Sequence, residues 1–159
     1  GEAQVRAYVS IQSVTATTFV GNKDPEDIMV RLCICFVNSG NSPALSPEVT
    51  VGLMNFPRQT YAIADIQANG TFDHNVDFFF RAEQLGSIYE QPVSQTTTIS
   101  YECADVFSKQ NVKNIVGSDE WQGRIKRDNR EVAEFKRIEV QVVHISSGIS
   151  VLEKNDAQS

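Results

Sequence analysis

The chain has 159 residues, one domain's worth, and at that size about 70% of its surface can be buried without a disulfide or a metal to staple it. Apolar residues make up 41% and charged residues 21%, which excludes a disordered chain, and no apolar run approaches the ~18 residues of a membrane-spanning helix. Twenty acidic against 14 basic residues leave a net charge of −6, a field that disfavours nucleic acid and anionic lipid surfaces as partners.

In chain order, Val5–Ser13 alternates with period two, with Val5, Ala7, Val9 and Ile11 on one side, and predicts a half-buried strand. Gly21–Asp27 follows as a turn. Ile28–Asn38 is the clearest strand: Ile28, Val30, Leu32, Ile34 and Phe36 form a core face. Met29, Arg31, Cys33, Cys35 and Val37 form the other, and its arginine implies only partial cover. Asn38-Ser39-Gly40-Asn41-Ser42-Pro43 reads as a turn, since Asn and Gly tolerate positive φ and Pro ends pairing. Pro47–Met54 resumes as a strand with Val49, Val51 and Leu53 inward. It is expected to lie antiparallel beside Ile28–Asn38.

Thr60–Gln67 is a further strand and Asn69-Gly70 a turn. The run Phe78-Phe79-Phe80 within Val76–Phe80 predicts a strand buried on both faces or crossing between sheets. Arg81–Glu90 has the composition of one short helix before Pro92. Ser94–Cys103 is a strand rich in β-branched residues. Trp121–Lys126 and Val132–Ile145 flank Arg127-Asp128-Asn129-Arg130 as the arms of a hairpin. A helix competes over Glu131–Glu139, but Val140-Gln141-Val142-Val143 continues without a break and favours strand. Ile149–Leu152 is a last edge strand, and residues 154–159 a frayed tail after a single domain at 1–153. Many short strands between turns imply an all-β fold, an antiparallel β-sandwich of immunoglobulin-like kind with room for that one helix.

Three segments carry a family resemblance: Arg6-Ala7-Tyr8-Val9, the turn Asn38-Ser39-Gly40-Asn41-Ser42-Pro43-Ala44, and Ile99-Ser100-Tyr101-Glu102-Cys103-Ala104-Asp105-Val106-Phe107. Together they resemble uncharacterised bacterial membrane-anchored proteins whose soluble part opens with an "RAYV" strand and carries an "N-x-G-x-x-P-A" turn and a later "Y-x-D-x-F" segment. Here the last motif is stretched, with Cys103 where the acid is expected and Asp105 two residues further on. The resemblance spans roughly Arg6–Phe107 and implies a cell-envelope location, with one or two membrane helices upstream of residue 1. The opening Gly1-Glu2-Ala3 lacks an initiator Met, in keeping with a natural chain that continues upstream. The resemblance implies no catalytic residues, and does not fix the side of the membrane.

Chemistry-bearing motifs are sparse. Cys33, Cys35 and Cys103 are odd in number, so not all can pair; a bridge from Cys33 or Cys35 to Cys103 competes with three half-buried thiols. Cys33 and Cys35 lie two apart in one strand, a spacing that rarely meets disulfide geometry. Two histidines without ligand spacing to a cysteine argue against zinc. His74, expected in a loop, and His144, on a strand, lack a G-x-S-x-G elbow and read as ordinary partly buried residues. The carboxylates Asp24, Glu26, Asp27, Asp73, Asp77, Asp119 and Glu120 read as a solvated rim, and Asn22, Asp24, Glu26 and Asp27 lack the EF-hand pattern. Gly40, Gly86 and Gly123 are isolated, so no phosphate loop is present, and Asn69-Gly70-Thr71 matches a glycosylation acceptor only by chance in a bacterial chain.

The most polarised stretch is Arg124–Arg137, where six cations against three acids leave a local +3. A charged hairpin that protects a sheet edge accounts for it. The functional alternative is a docking patch of Trp121, Arg124, Lys126, Arg127 and Arg130, with Trp121 as aromatic anchor for a protein partner or a small anionic ligand. The expected function is non-catalytic binding, without cofactor or metal, as the soluble domain of a membrane-anchored protein. The alternative is a sensor of a small, nucleotide-like anion signalling to upstream helices.

Overall fold

Period-two burial runs through the structure, a computed structural model that describes residues 6–20, 28–53, 56–80, 93–107, 113–125, 132–134 and 136–141. Nine strands occur among the described residues: β1 (Val9–Val20), β2 (Ile28–Asn38), β3 (Leu45–Leu53), β4 (Gln59–Ala62), β5 (Thr71–Phe80), β6 (Val93–Ala104), β7 (Ile115–Ile125), β8 (Val132–Glu134) and β9 (Lys136–Gln141). They form two antiparallel sheets, ordered β5-β2-β1-β8 and β4-β3-β6-β7-β9. The protein is thus a β-sandwich, with no helix among the described residues. The expected turn at Gly21–Asp27, helix at Arg81–Glu90, turn at Arg127–Arg130, edge strand at Ile149–Leu152 and tail at 154–159 lie outside the described residues.

The core lies between the sheets. Val30, Leu32, Ile34 and Phe36 of β2 belong to one buried cluster with Val49, Val51 and Leu53 of β3 and Ile99 of β6. Each such side chain stabilises the fold by roughly 1.5–3 kcal/mol relative to exposure. The opposite face of β2 is half-covered, as its arginine implies. β1 continues to Val20, beyond the expected Ser13, because a β-bulge between Ile11 and Ser13 shifts the phase. Ile11 is followed inward by Val14 and Ala16, so the alternation restarts one residue late.

The expected pairing of the Ile28–Asn38 strand with Pro47–Met54 does not occur. β2 lies between β1 and β5, whereas β3 pairs with β4 and β6 in the other sheet. The side chain of Asn38 explains the crossing. Its Oδ1 accepts from Tyr8 N (3.0 Å) and Gly40 N (3.0 Å), and its Nδ2 donates to Ser42 O (2.8 Å) and Ile66 O (3.1 Å). The amide is fully buried and thus ties the start of β1, its own turn and the segment before β5 to one point. Past it, Ala44 bridges Ile66 and the chain enters the second sheet. A Cβ on Gly40 would collide with the Arg6 carbonyl oxygen and lie 2.8 Å from Ala7 Cα, so glycine is required by close approach.

The third resembling segment reaches the same opening strand. Tyr101 of β6 donates its hydroxyl to Val9 O across the sandwich (3.1 Å) and meets Phe36 edge-on (5.7 Å between ring centres). A Cβ on Gly117 would overlap the Tyr101 ring, and Gly117 stands opposite Tyr101 in the register. Asn114 and Asp105 lock the β6–β7 connection by Asn114 Nδ2 to Asp105 Oδ1 (2.9 Å) and Asp105 N to Asn114 Oδ1 (3.1 Å). Arg6 sits over the Phe107 ring at 5.4 Å.

Other expectations change. The Thr60–Gln67 strand shortens to β4, with Ile66 held by a single bridge. The Phe78–Phe80 run neither crosses sheets nor is buried on both faces: it ends β5, the last strand of its sheet, with Phe78 buried and Phe79 64% exposed. The second hairpin arm, expected as one strand over Val132–Ile145, is divided: β8 joins β1 in one sheet and β9 joins β7 in the other. β7 begins at Ile115, six residues before the expected Trp121. Asn69 does take positive φ (57°) in the turn before β5.

Replacing Asn38 by Asp keeps the shape but removes the two donations to Ser42 and Ile66 and buries a charge. Urea unfolding should show a loss of about 3 kcal/mol or more. Tyr101→Phe, which deletes one buried hydroxyl bond, should cost about 1 kcal/mol. Equal losses for the two would overturn the central place given to Asn38.

Candidate functional site

The expected docking patch is only partly placed by the structure. Trp121 lies on β7 and is 6% exposed within the hydrophobic core. Strand phase decides this, because Ile115, Gly117, Asp119, Trp121 and Gly123 share the inward face of β7. The indole is therefore not an exposed anchor. Arg124 stands opposite Ser94 on β6. Lys126, Arg127 and Arg130 lie outside the described residues.

A different face stands out. On the outer side of the four-stranded sheet, cross-strand pairing sets Phe19, Met29 and Phe79 in one row across β1, β2 and β5. Phe19 is 41% and Phe79 64% exposed, the largest apolar exposures on this face. The next row holds Thr17, Arg31 and Asp77. Arg31 binds Asp77 through both carboxylate oxygens (Nε to Oδ1 2.7 Å, a second nitrogen to Oδ2 3.2 Å) and lies over the Phe19 ring at 5.5 Å. That clasp draws the Arg31 pKa up further through its hydrogen bond with Asp77. Two more rows follow, Thr15–Cys33–Asn75 and Ser13–Cys35–Asp73. Among the described residues no strand pairs with the far side of β5, so its backbone edge borders the apolar row.

His74 lies on β5 and not in a loop. It turns inward, with its ring edge-on to Tyr61 of β4 (4.8 Å between centres), where the edges of the two sheets face each other. Its Nε2 is buried without a hydrogen-bond partner among the described residues, and burial pulls its pKa below the usual 6.5. The neighbouring Tyr61 hydroxyl donates to Gln59, and burial raises its pKa. The pair forms a packing contact, with no nucleophile held by a base. His144 lies outside the described residues.

The carboxylates are not one solvated rim: Asp73 and Asp77 project from β5, and Asp119 is 1% exposed on β7. The oxygen-bearing group Asn22, Asp24, Glu26 and Asp27 lies outside the described residues. Among the described residues no three His, Cys, Asp or Glu side chains gather as a metal site. All three cysteines are free. Cys103 is buried in the core, where burial pushes its thiol up to about 12, while Cys33 and Cys35 lie on the outer face of β2. A bridge between them and Cys103 is ruled out by those opposite positions. No protein-family model and no curated protein matches the chain.

His74 gives a pH-dependent stability of known sign. The folded protein takes up this proton less readily than the unfolded chain, so stability is full above pH 6.5 and falls as pH drops below it. His74→Phe keeps the aromatic contact and removes the proton. Its urea midpoint should change less than the wild type's between about pH 7.5 and about pH 5.5. Equal changes would show that His74 does not carry this dependence.

Proposed function

We propose that this β-sandwich is a non-catalytic, immunoglobulin-like interaction module, the soluble domain of a bacterial membrane-anchored protein. The observation that carries this is the row Phe19–Met29–Phe79 beside the edge of β5. Exposed aromatic side chains next to strand backbone that no described strand pairs suit a protein partner, which gains apolar burial and main-chain hydrogen bonds together. The Arg31–Asp77 clasp adds a fixed polar border.

The envelope assignment draws on the resemblance. Its three segments are interlocked: Gly40 packs on Arg6, Asn38 binds Tyr8, Tyr101 binds Val9, and Arg6 covers Phe107. Motifs that build one structural clasp support a shared fold. Trp121 in the core removes the aromatic half of the anion-sensing alternative.

The test uses the full-length protein in its membrane, with Phe79→Lys as the comparison. The wild type should retain a protein partner that the variant loses, at an unchanged melting temperature. Retention by both would overturn the assignment to this face. In a thermal-shift panel of nucleotides, sugars and common anions, the melting temperature should stay constant. A rise of several degrees with one compound would favour the ligand sensor instead.

A further inference from the structure

We propose that Cys33 and Cys35 form a two-sulfur site for one soft, two-coordinate metal cation, of which Cu(I) is the type, on the outer face of β2. The proposal goes beyond the interaction surface and does not depend on it.

The two thiols share an inner strand of the described four-stranded sheet and the same face of it. Both are half-buried and free. In an extended strand, same-face neighbours stand about 6.6 Å apart. A disulfide needs Cβ atoms about 3.8 Å apart, so this pair cannot close one without pinching the strand. With the zinc–thiolate length of about 2.3 Å as the guide, two metal–sulfur bonds in a linear arrangement place the sulfurs about 4.6 Å apart. Each thiol has only to lean about 1 Å toward the other to reach that span. The strand thus excludes the covalent bridge and accommodates the metal bridge.

The surroundings fit the same ion. The flanking positions, Ser13 and Thr15 on β1 and Asn75 on β5, carry small polar side chains. Asp73 stands opposite Cys35 and supplies negative charge beside the pair. Cys35 donates its thiol to Gln12 Oε1 at 3.6 Å, a weak contact that a metal bond readily replaces. Zinc, which takes four ligands, is poorly served, since no third His, Cys, Asp or Glu completes a group among the described residues. Soft sulfur ligands in low number select Cu(I). Burial first, then Asp73, raises both thiols, so they wait as neutral S–H groups. As each sulfur–metal bond forms, the S–H bond gives its proton to solvent; no electron moves and no oxidant is needed.

The experiment is an anaerobic Cu(I) titration against the coloured competitor bicinchoninate, on the whole chain and on Cys33→Ser, Cys35→Ser and Cys103→Ala. The wild type should withdraw one Cu(I) per chain and remain monomer-sized on gel filtration relative to its metal-free form. Each serine variant should lose more than about tenfold in affinity, while Cys103→Ala should match the wild type. Serine variants that compete as well as the wild type would overturn the site, as would an ion shared between two chains. Mass-mapped alkylation of the unmutated protein gives a reading that needs no variant. Cu(I) should slow labelling of Cys33 and Cys35 together, and unchanged labelling would overturn the proposal.

Discussion

A primary carboxamide offers two donors and two acceptor lone pairs, and in Asn38 all four directions end on backbone. No other polar side chain suits that position. Aspartate lacks the donors, and an aliphatic residue would take this partner from the Tyr8 and Gly40 N–H groups and from the Ser42 carbonyl, leaving Ile66 O only its bond from Ala44 N (2.8 Å). The rest of the sandwich follows from this anchor. With Tyr8 held on one side and Ser42 and Ile66 on the other, the chain leaves β2 at a set angle and enters the opposite sheet. Gly40 lets the strand opening at Arg6 lie directly on the turn, and Ser39 N adds a backbone bond to Tyr8 O (2.9 Å). Tyr101 then fastens the other sheet to the same strand at Val9.

Side-chain alternation made much of this legible. β2 is predicted to the residue, because Val30, Leu32, Ile34 and Phe36 are uninterrupted and Arg31 marks the outer face. Where alternation fails locally, so does the reading. The bulge at Ile11/Ser13 hides the second half of β1, since a one-residue insertion inverts the expected faces. The first half of β7, Ile115-Val116-Gly117-Ser118-Asp119-Glu120, carries no clear alternation, and the expected strand starts only at Trp121. It is a strand because Gly117 makes room for the Tyr101 ring, a tertiary requirement that no local propensity encodes. The β2–β3 connection reads as a hairpin for the same reason. Its Asn, Gly and Pro are turn formers, but which strand the turn delivers depends on bonds to Tyr8 and Ile66, both more than twenty residues away.

The site was less legible than the fold. Trp121 beside a run of cations invites a reading as a surface anchor, and only its phase with Ile115 and Asp119 places it inside. Phe79 presents the converse. A triple phenylalanine suggests burial throughout, but a strand turns alternate residues to opposite faces, so Phe78 enters the core and Phe79 must leave it. Cross-strand neighbours, which bring Phe19 and Phe79 onto one row with Met29, come from register and not from any motif.

The same constraint defines where the molecule can act. The interior is closed by aliphatic packing between the sheets, and the turn at Asn38–Ala44 is occupied by its own hydrogen bonds. The outer face of β5-β2-β1 differs, because each core residue of β2 obliges its neighbour to point outward. Burying Val30, Leu32 and Ile34 presents Arg31, Cys33 and Cys35 on the other side, with Met29 leading the row. Aromatic surface, an ion pair and two thiols thus succeed one another along one strand at the spacing of its pleat. A partner on the aromatic row and a cation on the thiol rows would meet different ends of this face, separated by the Arg31–Asp77 clasp. The clasp is half-exposed, so its attraction is partly screened by water. Its contribution is one of position, since it joins β2 to β5 by side chains as well as backbone.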